Sequence, residues 1–260
     1  MVNDKPLILI TNDDGYQAQG RRKLIDLKRP LGELVVISTE KVMSAKGHSI
    51  TTTPDLTVNL VESGPDYKEY RCNGTPVDCV KVGYQWLLHR LPDLVVSGIN
   101  HGSNASTNVI YSGTMAAAIE ACMDGINAIG FSLDDYSLDA DFDHLDGYIT
   151  AITQKVLREG LPDGVCLNVN FPIRGEEPIK GLKICRQAKA KWIEAYSECL
   201  DEKGGTCLKL GGKFICEDLG EETDHYAIKH NYVSLVPTHF DLTAKQYLDD
   251  MRRFEHILLE

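Results

Sequence analysis

Short, nearly unbroken apolar runs alternate with helix-period segments through the first two thirds of the chain. Runs at 7–11, 34–38, 93–97, 127–132 and 165–170 are solid enough to predict strands buried on both faces. Between them, Thr75-Pro76 has the form of an N-cap and first helical residue, and Val77, Val80, Tyr84, Leu87, Leu88 and Leu91 trace one apolar face as far as Pro92. A second periodic set, Leu145, Tyr148, Ile149, Ile152, Val156 and Leu157, predicts a helix ending near Gly160. This alternation predicts an α/β fold: a Rossmann-like, doubly wound, mostly parallel sheet covered by helices on both faces. Residues 50–72 read as an inserted β-hairpin or pair of strands. From about residue 180 the pattern changes to short β-like runs around the Lys- and Gly-rich stretch 202–213, then VSLVP at 233–237 and a helical stretch at 243–258. Residues 1–180 therefore read as the core, and 181–260 as an extended hairpin and helix appendage completing one unit.

Charge narrows the function classes. With 27 Lys and Arg against 38 Asp and Glu, the formal net charge of -11 argues against a nucleic-acid polymer or an anionic membrane as partner. A small anionic ligand would need local cation help, since the global field repels it. The eight cysteines form no C-x-x-C pair, which suits reduced thiols better than a zinc site or disulfide scaffold. Cys199, Cys207 and Cys216 cluster in a polar segment where pairing is open, with idle thiols the expectation. The N-terminus has no basic n-region before an apolar run, and no apolar stretch is long enough to span a bilayer, so the chain reads as cytoplasmic.

Candidate chemistry lies just past the strand ends, where a doubly wound sheet binds ligands. The first run, LILITNDDG, stops at Asp13, Asp14 and Gly15. Adjacent carboxylates at a core rim call for a counter-charge or open water, and a hard divalent cation is the simplest counter-charge. A solvated turn would use the same residue types. The second run leads to Ser44, and the third to Asn100 and Asn104; these oxygen donors suit Mg²⁺, Mn²⁺ or Ca²⁺ rather than zinc. Ser112-Gly113-Thr114 opens an Ala-rich helix ending near Gly125, and its free N–H groups and dipole make an anion site, or an ordinary Ser/Thr cap. The acidic residues at 134–146 lack the glycine and terminal glutamate of a calcium loop and read as solvated, as do His48 and His101 as loop histidines. No G-x-G-x-x-G follows the first strand, which disfavours a dinucleotide enzyme, and the adjacent aspartates do not match a D-x-D nucleophile loop.

ILITNDDG, SAKGHS, CNGTPVDCV, PDLVVSGINHGSN, VIYSGTMAAA, LNVNFP, TDHYA and YVSLVP, in this order over residues 7–237, resemble the stationary-phase survival protein (SurE) family of nucleotidases. The resemblance implies that Asp13, Asp14, Ser44 and Asn100 bind a divalent metal, Mg²⁺ or Mn²⁺, and that Asn104, Ser112, Gly113 and Thr114 hold the substrate phosphate. It implies hydrolysis of nucleoside 5′- and 3′-monophosphates by a metal-activated water, with Asp13 or Asp14 as a candidate proton acceptor, and in some members cleavage of short polyphosphate. It further implies a homodimer or homotetramer with the hairpin and an exchanged C-terminal segment at the contacts. A non-catalytic nucleotide sensor would use the same cleft. Two positions depart from the family pattern: Ser44 is followed by Ala45-Lys46 where Ser-Gly is usual, and Gly20 is followed by Arg21-Arg22 where an apolar residue is usual. Arg21 is therefore expected either to snorkel to the surface or to weaken packing.

Overall fold

The computed structural model describes residues 5–88, 90–137 and 139–257. Five strands stand where the apolar runs place them: β1 (Leu7–Thr11), β2 (Glu33–Thr39), β5 (Leu94–His101), β6 (Ala128–Leu133) and β7 (Val165–Phe171). Two further strands, β3 (Val58–Gly64) and β4 (Tyr67–Cys72), extend the same sheet, β4 pairing parallel with β2 and β3 closing the edge antiparallel. Within 50–72 the expected pair of strands is present as an antiparallel hairpin over 58–72, and it extends the edge of the main sheet. β8 (Leu182–Ile184) and β11 (Val233–His239) complete the other side, giving a nine-stranded sheet in the order β3-β4-β2-β1-β5-β6-β7-β11-β8.

Period-two alternation divides β1 between two cores. Ile8 and Ile10 pack with Leu24 and Ile25 of α1 (Gln19–Lys28) and with Ile149, Ile152 and Val156 of α4 (Asp146–Glu159). Leu7 and Leu9 face the opposite layer, with Cys79 and Val80 of α2 (Pro76–Val82) and Met115, Ala118 and Ala121 of α3 (Gly113–Met123). Each fully buried aliphatic side chain contributes about 1.5–3 kcal/mol, so the strand is anchored from both faces. Thr75 caps α2 reciprocally with Asp78, and Pro76 occupies the first turn. The helix is shorter than its apolar face suggests: past Val82 the chain widens into a π turn over Gly83–Leu87.

Three details differ from expectation. Arg21 neither snorkels nor loosens the core. It is buried, pairs with Glu69 of β4 at 2.8 Å, and donates to the Tyr16 carbonyl, while the Tyr67 hydroxyl donates to the same carboxylate. The carboxylate and the carbonyl engage the two terminal nitrogens of the guanidinium, while its buried Nε has no partner among the described residues. Cys199 and Cys207, expected as idle thiols, are joined as a disulfide across a long antiparallel hairpin, β9 (Ala190–Leu200) and β10 (Thr206–Cys216), where they stand directly opposite each other. The stretch 243–258 forms only short turns around α6 (Leu248–Met251), and residue 258 lies outside the described residues. Its apolar side chains, among them Leu248, Met251 and Phe254, are exposed, so no packed face supports a longer helix.

One buried cation escapes the sequence pattern altogether. Lys28 lies on the core side of α1, fully enclosed, with its ammonium 2.6 Å from the Thr153 hydroxyl and near the Ile149 carbonyl. No carboxylate pairs with it among the described residues. Burial alone pulls its pKa down to about 7.

Candidate active site

The sheet order sets the position of the cleft. From β1 the chain passes to β2 on one side and later returns to β5 on the other, so β1 and β5 flank the topological switch point. Beyond Thr11, the Asn12 amide donates to the Gly15 carbonyl at 2.8 Å and shapes the turn that carries Asp13 and Asp14. β5 shifts register against β6 between Ser97 and Asn100, an irregularity that re-aims Asn100 at the strand end. The Asn100 amide nitrogen donates to the His101 and Gly102 carbonyls at 3.1 and 2.8 Å, which leaves its oxygen as the free acceptor. His101 N–H donates to Asp14 at 3.1 Å, and Met43 N–H donates to the Asp13 carbonyl at 2.7 Å, drawing the Ser44 loop to the same edge.

The N-terminus of α3 closes on Asp13. Ser112 caps the helix by accepting from the Met115 N–H at 2.9 Å. A Cβ on Gly113 would lie 2.9 Å from the Asp13 carboxylate, so only glycine lets helix and carboxylate approach this closely. Thr114 is fully buried and its hydroxyl donates to Asp13 at 2.5 Å. Burial and then the neighbouring charge of Asp14 push the Asp13 pKa up to about 6, against the lowering effect of Thr114. Burial also raises Asp14. The Thr114 side chain is thereby committed to Asp13, whereas Asn104 and Ser112 face a cavity of about 650 Å³.

Asp13, Ser44, Asn100, Asn104 and Ser112 all line this one cavity. Asp14 adjoins it through the His101 N–H, and Gly113 and Thr114 stand behind Asp13. His48 is engaged elsewhere, 2.8 Å from Glu120, and the His101 ring packs edge-on to Phe142 with one nitrogen 3.0 Å from the Ser137 carbonyl. Two residues that sequence reasoning passes over organise the loop carrying Asn104. Asn170 on β7 accepts from the Asn104 N–H at 2.7 Å and donates to Asn168, which donates to the Asn104 carbonyl at 2.9 Å. The Asn104 amide in turn donates to Ser132 at 2.8 Å. Two asparagines at i and i+2 in an otherwise apolar buried strand are the signal that could have found them, since buried amides demand partners.

The donor set fits a hard divalent cation. It offers two carboxylates whose proton affinity is raised by burial, and for Asp13 also by the charge of Asp14, a free amide oxygen and a hydroxyl, all oxygen. Among the described residues no group of three or more His, Cys, Asp and Glu side chains is placed to hold a metal ion, so the fit rests on two carboxylates together with neutral oxygen donors.

Ala45, next to Ser44, adopts φ of 60°, a left-handed conformation that glycine takes freely. Relief of about 1–2 kcal/mol of backbone strain outweighs the added flexibility of the unfolded chain. Ala45→Gly is expected to stabilise the protein by about 0.5–1 kcal/mol, read as a higher urea midpoint at unchanged slope. A lower midpoint would show that the loop carries no such strain.

Fold and cleft together define a doubly wound α/β protein with a cleft lined largely by oxygen donors at its switch point. The family model described as survival protein SurE matches residues 8–194, and the chain belongs to the SurE family. It is 51% identical over 253 residues to a protein named 5′-nucleotidase SurE from Christiangramia forsetii, covering 96% of this chain and 97% of that one. A protein of the same name from Flavobacterium psychrophilum is 49% identical, covering 96% and 98%. The crystal structure of SurE protein from Aquifex aeolicus superimposes with a TM-score of 0.81 at 35% identity, covering 96% of this chain and all of that one.

Proposed function

We propose that the protein is a divalent-metal-dependent phosphomonoesterase that hydrolyses nucleoside 5′- and 3′-monophosphates, with short polyphosphate as a further substrate. The observation that carries this reading is Asp13, held by Thr114 against the N-terminus of α3 at the edge of an oxygen-lined cavity. Relatives named 5′-nucleotidase SurE, 51% and 49% identical, support the reaction class. Asp13, Asp14, Ser44 and Asn100 would hold Mg²⁺ or Mn²⁺, which supplies Lewis-acid polarisation and a water of lowered pKa. The chain's own residues do the rest. Asn104 and Ser112 place the phosphoryl group, and the α3 N-terminus meets its charge. Asp13 and Asp14 are the candidate acceptors for a proton from the attacking water. The asparagine pair on β7 fixes Asn104, so the phosphate is oriented with no Lys or Arg among the described residues that line the cavity. Residues 1–180 supply this chemistry, and 181–260 supply the hairpin and the contacts of a cytoplasmic homodimer or homotetramer.

The test is phosphate release from a panel of 5′- and 3′-nucleoside monophosphates, with EDTA and with added Mg²⁺ or Mn²⁺. Release that needs metal is expected. Stoichiometric nucleotide binding with no release under any metal would replace this reading with that of a nucleotide sensor.

A further inference from the structure

The loop that carries Ser44 is held by hydrogen bonds rather than by packing. Most residues from Lys41 to Ile50 are exposed, Val42 and Ile50 among them, so little apolar surface anchors it. A segment of this kind has low local stability and lies where its polar contacts put it. Met43 N–H donates to the Asp13 carbonyl, and Gly47 N–H donates to the Tyr111 carbonyl at 3.0 Å, just before α3 begins. Past the loop, the Thr75 hydroxyl donates to the Ser49 carbonyl at 2.7 Å, and Thr51 N–H donates to Asp78 at 3.1 Å. A side-chain contact joins the loop to the helix layer: His48 Nε2 donates to Glu120 on α3 at 2.8 Å.

Glu120 is a costly residue at its position. Its side chain is 5% exposed, and its helix neighbours Ala117, Ala118 and Ala121 belong to the core. A carboxylate there needs close partners. Lys81 of α2 pairs with one oxygen and His48 with the other. The lysine already balances the charge, so the second oxygen serves the loop. Glu120 stands two turns beyond Gly113, close to the same face of α3 and about 10 Å along its axis. Gly113 and Thr114 at the start of the helix fix Asp13. One rigid helix thereby sets both sides of the cleft, the carboxylate through its first turn and the Ser44 loop through Glu120.

Resting on the metal-dependent reading, we propose that His48 and Glu120 are positioning residues, a clasp that holds the Ser44 loop to α3 so that Ser44 and Asp13 meet the same cation. Neither side chain lines the cavity, and both act through the loop. Without the clasp the loop leaves its place for part of the time, and the apparent affinity for the ion falls by the fraction of molecules in which Ser44 remains in position.

Two readouts separate the clasp from the stability of the fold and from turnover. Lys81→Met is the matched control, because it also takes a partner from Glu120 but leaves the loop fastened. In the metal-free protein, tryptic cleavage at the exposed Lys46 is expected to be about tenfold faster in His48→Ala than in the wild type, and within about twofold of it in Lys81→Met. Mn²⁺ binding, read from the EPR signal of the free ion, is expected to weaken about tenfold in His48→Ala and to stay within about twofold in Lys81→Met. It is expected to recover in His48→Gln, whose amide still donates to Glu120. Cleavage or affinity unchanged in His48→Ala, changed equally in Lys81→Met, or an affinity not regained in His48→Gln, overturns the clasp and leaves the metal-dependent reading intact. Absence of Mn²⁺ binding by the wild type overturns that reading instead, and the cleavage rates then still decide whether His48 orders the loop.

Discussion

Asp13→Asn is expected to raise the stability of the metal-free protein by about 3 kcal/mol above pH 6, and to lower metal-dependent phosphate release by at least about a hundredfold. The stability gain follows from proton linkage. Burial and Asp14 raise the Asp13 pKa from 3.8 to about 6 in the folded protein. Between those values the folded state binds more protons than the unfolded chain, so the wild type loses stability as pH rises through the window and carries the full penalty above it. Asparagine cannot ionise and still accepts from the Thr114 hydroxyl. Urea unfolding in EDTA at pH 4 and pH 7.5 checks this: the two proteins should nearly coincide at pH 4 and diverge at pH 7.5. A variant no more stable at pH 7.5 would show that Asp13 is not the strained group. The burial and the like charge that cost stability in the metal-free protein are what a cation held by these carboxylates would offset.

Lys28→Met should produce an effect of similar size by the opposite titration. Burial lowers the Lys28 pKa from 10.5 to about 7, which corresponds to as much as about 5 kcal/mol of penalty below pH 7, where the ammonium is charged in both states. Between pH 7 and 10.5 the unfolded chain binds the extra proton, so wild-type stability gains a rising component across that window. Methionine fills a similar volume without the charge, and Thr153 keeps its own hydrogen bond to the Ile149 carbonyl at 2.7 Å. The variant is expected to be about 2–5 kcal/mol more stable at pH 6.5 and to lose that advantage as pH approaches 10. Denaturant midpoints at the two pH values measure it. A constant difference between the proteins would point to packing rather than ionisation.

The strands that position the cleft were legible because they are buried on both faces: Leu7 to Ile10 and Leu94 to Val96 are apolar without interruption. Asp13 and Asp14 stand just past β1 and Asn100 at the end of β5, and Ser44, Asn104 and Ser112, which line the same cavity, lie on the loops that follow these strands. β3 and β4 were harder to place. Their alternating, largely exposed pattern specifies a pair of strands but not which edge receives them, and the parallel pairing of β4 with β2 is a tertiary fact. Arg21 and Lys28 escaped for a related reason. A charged residue on a helix reads as solvent-facing, and only the spatial neighbours Glu69 and Thr153 reveal that each is enclosed. Thr114 was placed correctly at the helix start, yet its hydroxyl turns to Asp13, a partner 101 residues away that periodicity cannot supply. The covalent link between Cys199 and Cys207 likewise depends on hairpin register, which the Gly-rich turn suggests without fixing.

The asparagine pair on β7 also sets an order of events during synthesis. Every proposed ligand, from Asp13 through Thr114, leaves the ribosome before Asn168 and Asn170, the residues that hold the Asn104 loop. A nascent or truncated chain that stops short of β7 therefore contains the whole set of reactive groups without the brace that orients them. The Asn104 loop thus gains its brace only after every residue of the cleft up to Thr114 has been made.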